Sequence, residues 1–518
     1  MVPDGNVRFQ PVDIQILLLS RRWFTLTRLQ GCASGRRTAL SPLSMVRHFL
    51  LPAAFLFALT GCTVRPPASR MGEANVPMPA AWSATREGKA GVDSDWVARM
   101  GSPQLTALVR EAAANNPDLK IAAARVEQSR TLIKSAAAGS YPKLDLTADG
   151  NDTQRNFVGF PVAGSDGGAI KVASESYQVS FVTEWELDIW GRYRAGTAAA
   201  IAATQGAEQD ERAARAAIAA QTARAWLGLI EANEQLDLAD AAIKAYQDTE
   251  KALEERFRTG QAGDQGGIGA QLRLARSDIS AAKAALEQRR EVQGQAARAL
   301  EALLGRYPQG ERRRGERLPA LTASPPAGLP SELLLRRPDI LAAERRFAAQ
   351  GMRQKEARRA IWPSLKLTGS AGSSTAGIGN LLASDFGVWS FGAKIFEPIL
   401  TGGLIPAELR KRNAEQAEAL ATLQKTVLKA FGEVENALDA ELLLRRREEA
   451  LTEATRLAAE ADSEARANFR QGLGDILTVL VTQQRAIQSR SALASARRLR
   501  LDNRVALHLA LGGDFRVH

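Results

Sequence analysis

"NNPDLKIAAARV", residues 115–126, returns as "RRPDILAAERRF", residues 336–347. At the same offset Tyr141-Pro142-Lys143-Leu144-Asp145-Leu146-Thr147 returns as Trp362-Pro363-Ser364-Leu365-Lys366-Leu367-Thr368. Farther along, "RFRTGQAGD" from Arg256 recurs as "NFRQGLGD" from Asn468, and "ALEALLG" from Ala299 as "ALHLALG" from Ala506. A period of about 210 residues is far longer than a solenoid repeat, so a whole structural unit is duplicated.

Each unit reads alike. A helix (Pro103 to Ala138; Ser331 to Ala360) ends before an X-Pro pair, which disfavours helix at the preceding residue. A strand follows, Lys143 to Ala148 in one unit and Ser364 to Gly369 in the other, and after a Gly/Ser/Asn-rich loop comes a second strand. In "SYQVSFVTEWELDI" (176–189), Tyr177, Val179, Phe181, Trp185, Leu187 and Ile189 share one face, and Gln178, Ser180, Glu184, Glu186 and Asp188 the other. In "VWSFGAKIFEPI" (388–399), Trp389, Phe391, Ala393 and Ile395 oppose Ser390, Gly392 and Lys394. Period two with an aromatic, apolar face is a strand signal.

The helices then become very long. Prolines are absent from Val162 to Tyr307 and from Ala407 to His518. The pattern predicts two antiparallel hairpins, Ala195 to Phe257 with Gln271 to Leu304 and Leu404 to Phe469 with Ile476 to Leu511, turning near Gly260 to Gly269 and Gly472 to Gly474. At about 1.5 Å per residue the longest arms reach roughly 90–100 Å. Leu229, Leu236 and Ile243 recur at seven, as do Leu420, Val427 and Val434, the latter each partnered three on by Leu423, Ala430 and Ala437. Seven-residue spacing is coiled-coil spacing, and alanine in the seam lets helices approach closely.

Composition narrows the function. The formal net charge is +11, but Lys and Arg alternate with Glu and Asp along the helices instead of forming a patch, which argues against nucleic acid. Three histidines, His48, His508 and His518, leave little material for a histidine-based triad or zinc centre. The run "GDQGGIG" (263–269) follows no strand and reads as a turn, not a nucleotide cradle. No cofactor and no enzymatic activity are expected.

"LLPAAFLFALTGCTVRPPASR" (50–70) carries one of the two cysteines at the end of an apolar run. The run is about a dozen residues, short of the ~20 that span a bilayer, and with Arg47 ahead of it has the layout of an export signal. Leu59-Thr60-Gly61-Cys62 resembles a bacterial lipobox, which implies cleavage before Cys62 and a covalent lipid, palmitate included, on its thiol. The expected organisation is an upstream segment outside the translated protein (1–44), a lipoprotein signal (45–61), a lipidated linker (62–100), a first repeat (101–310), an inter-repeat linker (311–330) and a second repeat (331–515).

Four strands cannot close on themselves in a bilayer, where every edge must be paired and single-chain barrels need at least about eight. They imply either a soluble sheet or a barrel shared among copies, and three copies would supply twelve strands. The apolar face suits lipid and the polar face a watery lumen.

"SDWVARMGSPQLTALVREAAANNPDLKIAAARVEQSR", "WELDIWGRYR", "PAGLPSELLLRRPDILAAERR", "WPSLKLTGSAG", "FEPILTGGLI" and "ALGGDF", in this order, resemble the outer-membrane factor family of TolC/OprM-type, NodT-like lipoproteins, across nearly all of Ser94 to Phe515. The resemblance implies a homotrimer: a twelve-stranded β-barrel in the outer membrane, continued by a periplasmic α-helical barrel. It also implies a periplasmic adaptor and an inner-membrane RND-type transporter as partners. The chain would be a passive conduit exporting small molecules such as drugs or metals, lipid-anchored in the outer membrane and extending into the periplasm. Within the family signature, Arg336, Arg337, Pro338, Asp339 and Glu344 are expected to be structural. The hairpin tips, marked by Arg256, Gly260, Asp264, Arg470, Gly472 and Asp475, match positions where adaptors dock. Leu477 matches an apolar constriction residue, and Val481 stands where many relatives carry aspartate, so an apolar gate of Leu477 and Val481 is expected. Two alternatives stay open: a lipid-anchored periplasmic coiled-coil scaffold or adaptor, and a type I protein secretion channel.

Overall fold

Proline decides where the first helix of each unit breaks. Asn116 and Arg337, each followed by Pro, adopt extended backbone (φ −60°, ψ 128° and φ −75°, ψ 120°), as the clash with the proline ring requires. The opening helix, expected in one piece over Pro103–Ala138 and Ser331–Ala360, is therefore two in each unit. They are α1 (Pro103–Asn115) with α2 (Pro117–Ala138), and α5 (Pro330–Arg336) with α6 (Pro338–Arg359). Pro opens α2 and α6 because the first helical residue has no amide partner to lose.

The computed structural model describes residues 64–83, 96–157, 170–259, 268–311, 317–321 and 330–513. Cys62, Gly260 and Asp264, and the segments read as upstream and signal, lie outside them. The described residues all fall within one compact unit, Val64–His518. No helix among them is long and apolar enough to cross a membrane.

The first three strands are longer than the expected Lys143–Ala148, 176–189 and Ser364–Gly369, whereas the fourth stops three residues short of the expected 388–399. β1 (Lys143–Phe157), β2 (Ile170–Leu187), β3 (Ser364–Thr375) and β4 (Gly387–Phe396) form one antiparallel sheet in the order β1-β2-β3-β4. Asp149, Gly150, Asn151 and Asp152 carry loop composition, yet they pair with Gln178, Tyr177, Ser176 and Glu175. Ladder hydrogen bonds outweigh weak strand propensity. The register puts Leu146, Phe181, Ala371 and Trp389 in one row across all four strands, and on the other face Thr147 bonds Ser180 at 3.1 Å and Ser370 bonds Ser390 at 2.8 Å. At Gly372 a Cβ would strike the Val179 carbonyl and the Ser180 backbone, so only glycine permits this pairing.

Beyond the sheet stand α3 (Arg192–Arg258) and α7 (Leu404–Arg470), each of 67 residues, followed by α4 (Ile268–Leu303) and α8 (Ile476–Ala510), of 36 and 35. The duplication is thus kept almost residue for residue. α3 has α2 against its sheet-proximal half and α4 against its far half; on its other side stand α6 and α8, and α7 packs outside those two. The helices form a wall ordered α2–α3–α6–α7 near the sheet and α4–α3–α8–α7 away from it. One core, around Leu105, Leu227, Leu304 and Val505, joins the first unit to α8; a second, around Ile340, Phe347, Val427 and Leu511, holds α6, α7 and α8. Of the heptad residues, Leu229, Leu236, Val427 and Val434 are buried as their spacing predicts, while Ile243 and Leu420 are half-buried.

Residues 64–83 run as a strap along α6 and α7. Arg70 gives its backbone N–H to Glu344 Oε1 (2.7 Å) and lays its guanidinium 4.4 Å over the Phe347 ring. Gln424 binds the Ala74 carbonyl at 2.8 Å, and Trp82 packs edge-on against Phe431.

Candidate functional site

Three regions of this wall carry chemistry. The first is the sheet. No helix among the described residues covers its apolar face: Leu144, Phe391 and Ile395 are 69–74% exposed and Trp389 82%. Among the described residues β1 and β4 have no outer partner strand, so each presents an edge row of backbone groups. Where sheet meets helices, aromatic side chains gather. Trp190 stacks on Trp362 at 5.3 Å and donates to the Pro363 carbonyl (2.7 Å), and Trp185 donates to the Ser140 carbonyl (2.9 Å). Aromatic rings with one wet end suit a lipid–water boundary. Glu186 and Asp188, read from sequence as polar-face strand residues, serve the turn into α3. Glu186 pairs with Arg192 at 2.6 Å, and Asp188, just past the end of β2, accepts the backbone amides of Tyr193 and Arg194.

The second region is the joint of the family signature. Arg337 Nη1 donates to the Ala510 carbonyl (3.1 Å), while Nε and Nη2 bind Asp339 (3.0 and 2.7 Å) and Nη2 also reaches Glu433 (2.7 Å). Burial opposes the charge on Asp339, yet the Arg337 guanidinium holds its carboxyl below the usual range. Arg336 pairs with Glu332 one turn back (3.0 Å), and the buried Glu344 binds Arg345 and the strap. The first unit has the same joint: Asn116 Nδ2 donates to the Leu303 carbonyl (2.9 Å), and Leu303 stands in "ALEALLG" where Ala510 stands in "ALHLALG". Sequence reasoning singled out Arg337 and passed over Asn116 and Glu433. Laying one unit over the other would have found Asn116; Glu433 has no local signal, since only tertiary packing brings it near.

The third region is the far end of the hairpins. At the turn from α7 to α8, Leu473 N–H reaches the Asn468 carbonyl (2.9 Å) and Gly472 N–H the Phe469 carbonyl (3.1 Å), a helix-ending motif that needs the left-handed backbone of Gly472 (φ +82°). Asp475 then caps α8, accepting Leu477 N–H at 3.1 Å. The motif "GLGD" is thus a stop followed by a start. Arg256, at the end of α3, lies 4.6 Å over the Phe469 ring and joins the two hairpin ends; Arg470 is exposed beside them. On α8, Ile476, Val479 and Leu480 are buried, whereas Leu477 and Val481, one turn apart, are 50% and 58% exposed. The two leave an apolar stripe open on the first turns of α8.

These features can be set beside known proteins. The sequence profile of a family described as outer membrane efflux protein matches residues 108–306 and 329–513, one stretch per repeat. The outer membrane protein OprJ of Pseudomonas aeruginosa is 32% identical over 472 residues, covering 89% of this chain and 95% of that protein. The solvent efflux pump outer membrane protein SrpC of Pseudomonas putida is 30% identical over 478 residues, covering 90% and 98%. Among solved structures, the outer-membrane channel OprN superposes with a TM-score of 0.75 at 26% identity, over 87% of this chain and 99% of that one.

Proposed function

This chain belongs to the outer membrane efflux protein family, and from that premise we propose that three copies close into one channel serving an inner-membrane pump through a periplasmic adaptor. The protein is an outer-membrane efflux channel. It is a conduit for small molecules, and the energy for export comes from the pump.

One observation carries the trimer. The chain is an open wall with unlike edges on its two sides: β1, α2 and α4 on one, β4 and α7 on the other. Unlike edges meet head to tail, which closes a ring when the rotation allows. β1 of one copy then pairs with β4 of the next, and three sheets give twelve strands. Exposed apolar residues stand on both helical edges, Ile121 and Leu132 on α2, Leu428 and Leu457 on α7, ready for burial in the ring. The ten residues of β4 are enough to cross the hydrocarbon layer. The lipid on Cys62 adds an anchor, and the chain carries out no catalytic step.

Leu477 and Val481 form an apolar gate at the narrow end. With both changed to Ser, single-channel conductance in a planar bilayer is expected to rise; unchanged conductance removes these residues from the gate. The exposed tip around Gly472 and Leu473 offers a surface to the adaptor. Native mass of the protein extracted with detergent from outer membranes tests the ring itself. Three chains are expected, and a monomer recovered without detergent sinks the barrel.

A further inference from the structure

Beside the exposed stripe of α8 lies a groove of about 690 Å³ between α3, α4 and α8, within the range of small-molecule sites. It exists because alanines, Ala242 on α3 and Ala281, Ala282 and Ala285 on α4, stand where larger side chains would fill the gap. One wall is Leu477 and Val481; the opposite wall is Leu274 and Asp278, with Tyr246 between. The Asp278 carboxylate makes no hydrogen bond or ion pair to the described residues. Burial pushes its carboxyl up, and that of the Tyr246 hydroxyl likewise, with Asp278 adding to the effect on Tyr246. Arg289, the other charged side chain lining the groove, stands eleven residues farther along α4, about 16 Å away.

We propose that this groove binds amphiphilic organic cations, the positive head between the Asp278 carboxylate and the Tyr246 ring and the apolar body along Leu477 and Val481. A half-dehydrated carboxylate without a partner gains more from a cation than an exposed one does. The ring face adds attraction that an anion or neutral molecule does not receive. Leu274, Leu477 and Val481 are 43–58% exposed, so a bound body removes apolar surface from water. All these residues belong to one chain, so the site does not depend on ring closure. Its consequence, block of the channel at its narrow end, rests on the proposed function.

The test uses the full chain in detergent, titrated calorimetrically with benzyltrimethylammonium and with benzenesulfonate as the aromatic probe of opposite charge. Asp278→Asn is expected to weaken binding of the cation at least about tenfold, Asp278→Glu to retain it, and benzenesulfonate to bind to none of the three. Equal affinity in the wild type and Asp278→Asn overturns the proposal, as does benzenesulfonate binding as tightly as the cation. In a planar bilayer, the cation added on the hairpin side is expected to lower conductance of the wild type and Asp278→Glu but not of Asp278→Asn. Binding without any wild-type conductance would count against the channel and leave the groove standing.

Discussion

Arg337 donates to the carbonyl of Ala510 and to two carboxylates, whereas Asn116 reaches Leu303 with a single amide. Losing the first strands a buried carbonyl and two acids; losing the second strands one carbonyl and the Asp118 amide, which Asn116 Oδ1 accepts at 2.8 Å to cap α2. Arg337→Ala is therefore expected to cost about 2–3 kcal/mol and Asn116→Ala about 1 kcal/mol, read from denaturant unfolding in detergent. His508 offers a pH test. Buried against Trp96 at 5.8 Å, with the positive charges of Arg504 and Arg99 nearby and only Glu441 opposing, its imidazole is pushed down to about 4. The folded form holds it neutral, so its contribution to stability is full above the unfolded value of about 6.5 and is lost as pH falls from there through 4. Replacing His508 with Gln should flatten that part of the melting-temperature profile relative to wild type; an unchanged slope would show that protonation there is not coupled to folding. Arg337 was legible in the sequence because it sits in a motif. His508 was not, since nothing in "ALHLALG" says that Trp96, four hundred residues earlier, will cover it.

Among elements, the long helices and their seams were legible, because a heptad pattern without proline has few other outcomes. Strand ends were not. The polar stretch Asp149–Asp152 and the small residues from Gly369 to Ser374 have no strand propensity of their own and are strands only because β2 offers partners. The joint breaks at Pro117 and Pro338 were legible in principle, since an X-Pro pair inside a helical pattern is its commonest interruption. At Gly372 the sheet tolerates no side chain, because Val179 and Ser180 lie directly against it. Gly372→Val is expected to disrupt the β2–β3 pairing and cut the yield of outer-membrane oligomer on native gels, while Ser374→Val, two residues along, leaves assembly near wild type. Equal yields for both would mean that the close approach at Gly372 is not required.

At the scale of the whole molecule, the duplicated unit makes a wall and not a closed body, and the exposed apolar sheet face and the two bare edges are what remain to be satisfied. The strap along α6 and α7 adds contacts that the repeat itself lacks, since it belongs to neither unit. Glu344→Ala removes the acceptor of Arg70 N–H and a partner of Arg345, and is expected to speed proteolysis within residues 64–83 while leaving the α3–α4 hairpin protected. Uniform loss of protection would show that the strap holds up the entire fold. The unlike edges also carry a genetic consequence. A copy damaged only along β1 still presents an intact β4, so it can enter a ring and spoil it. In a cell making damaged and sound copies equally, only about one ring of three in eight would be wholly sound, and the damaged allele would behave as dominant.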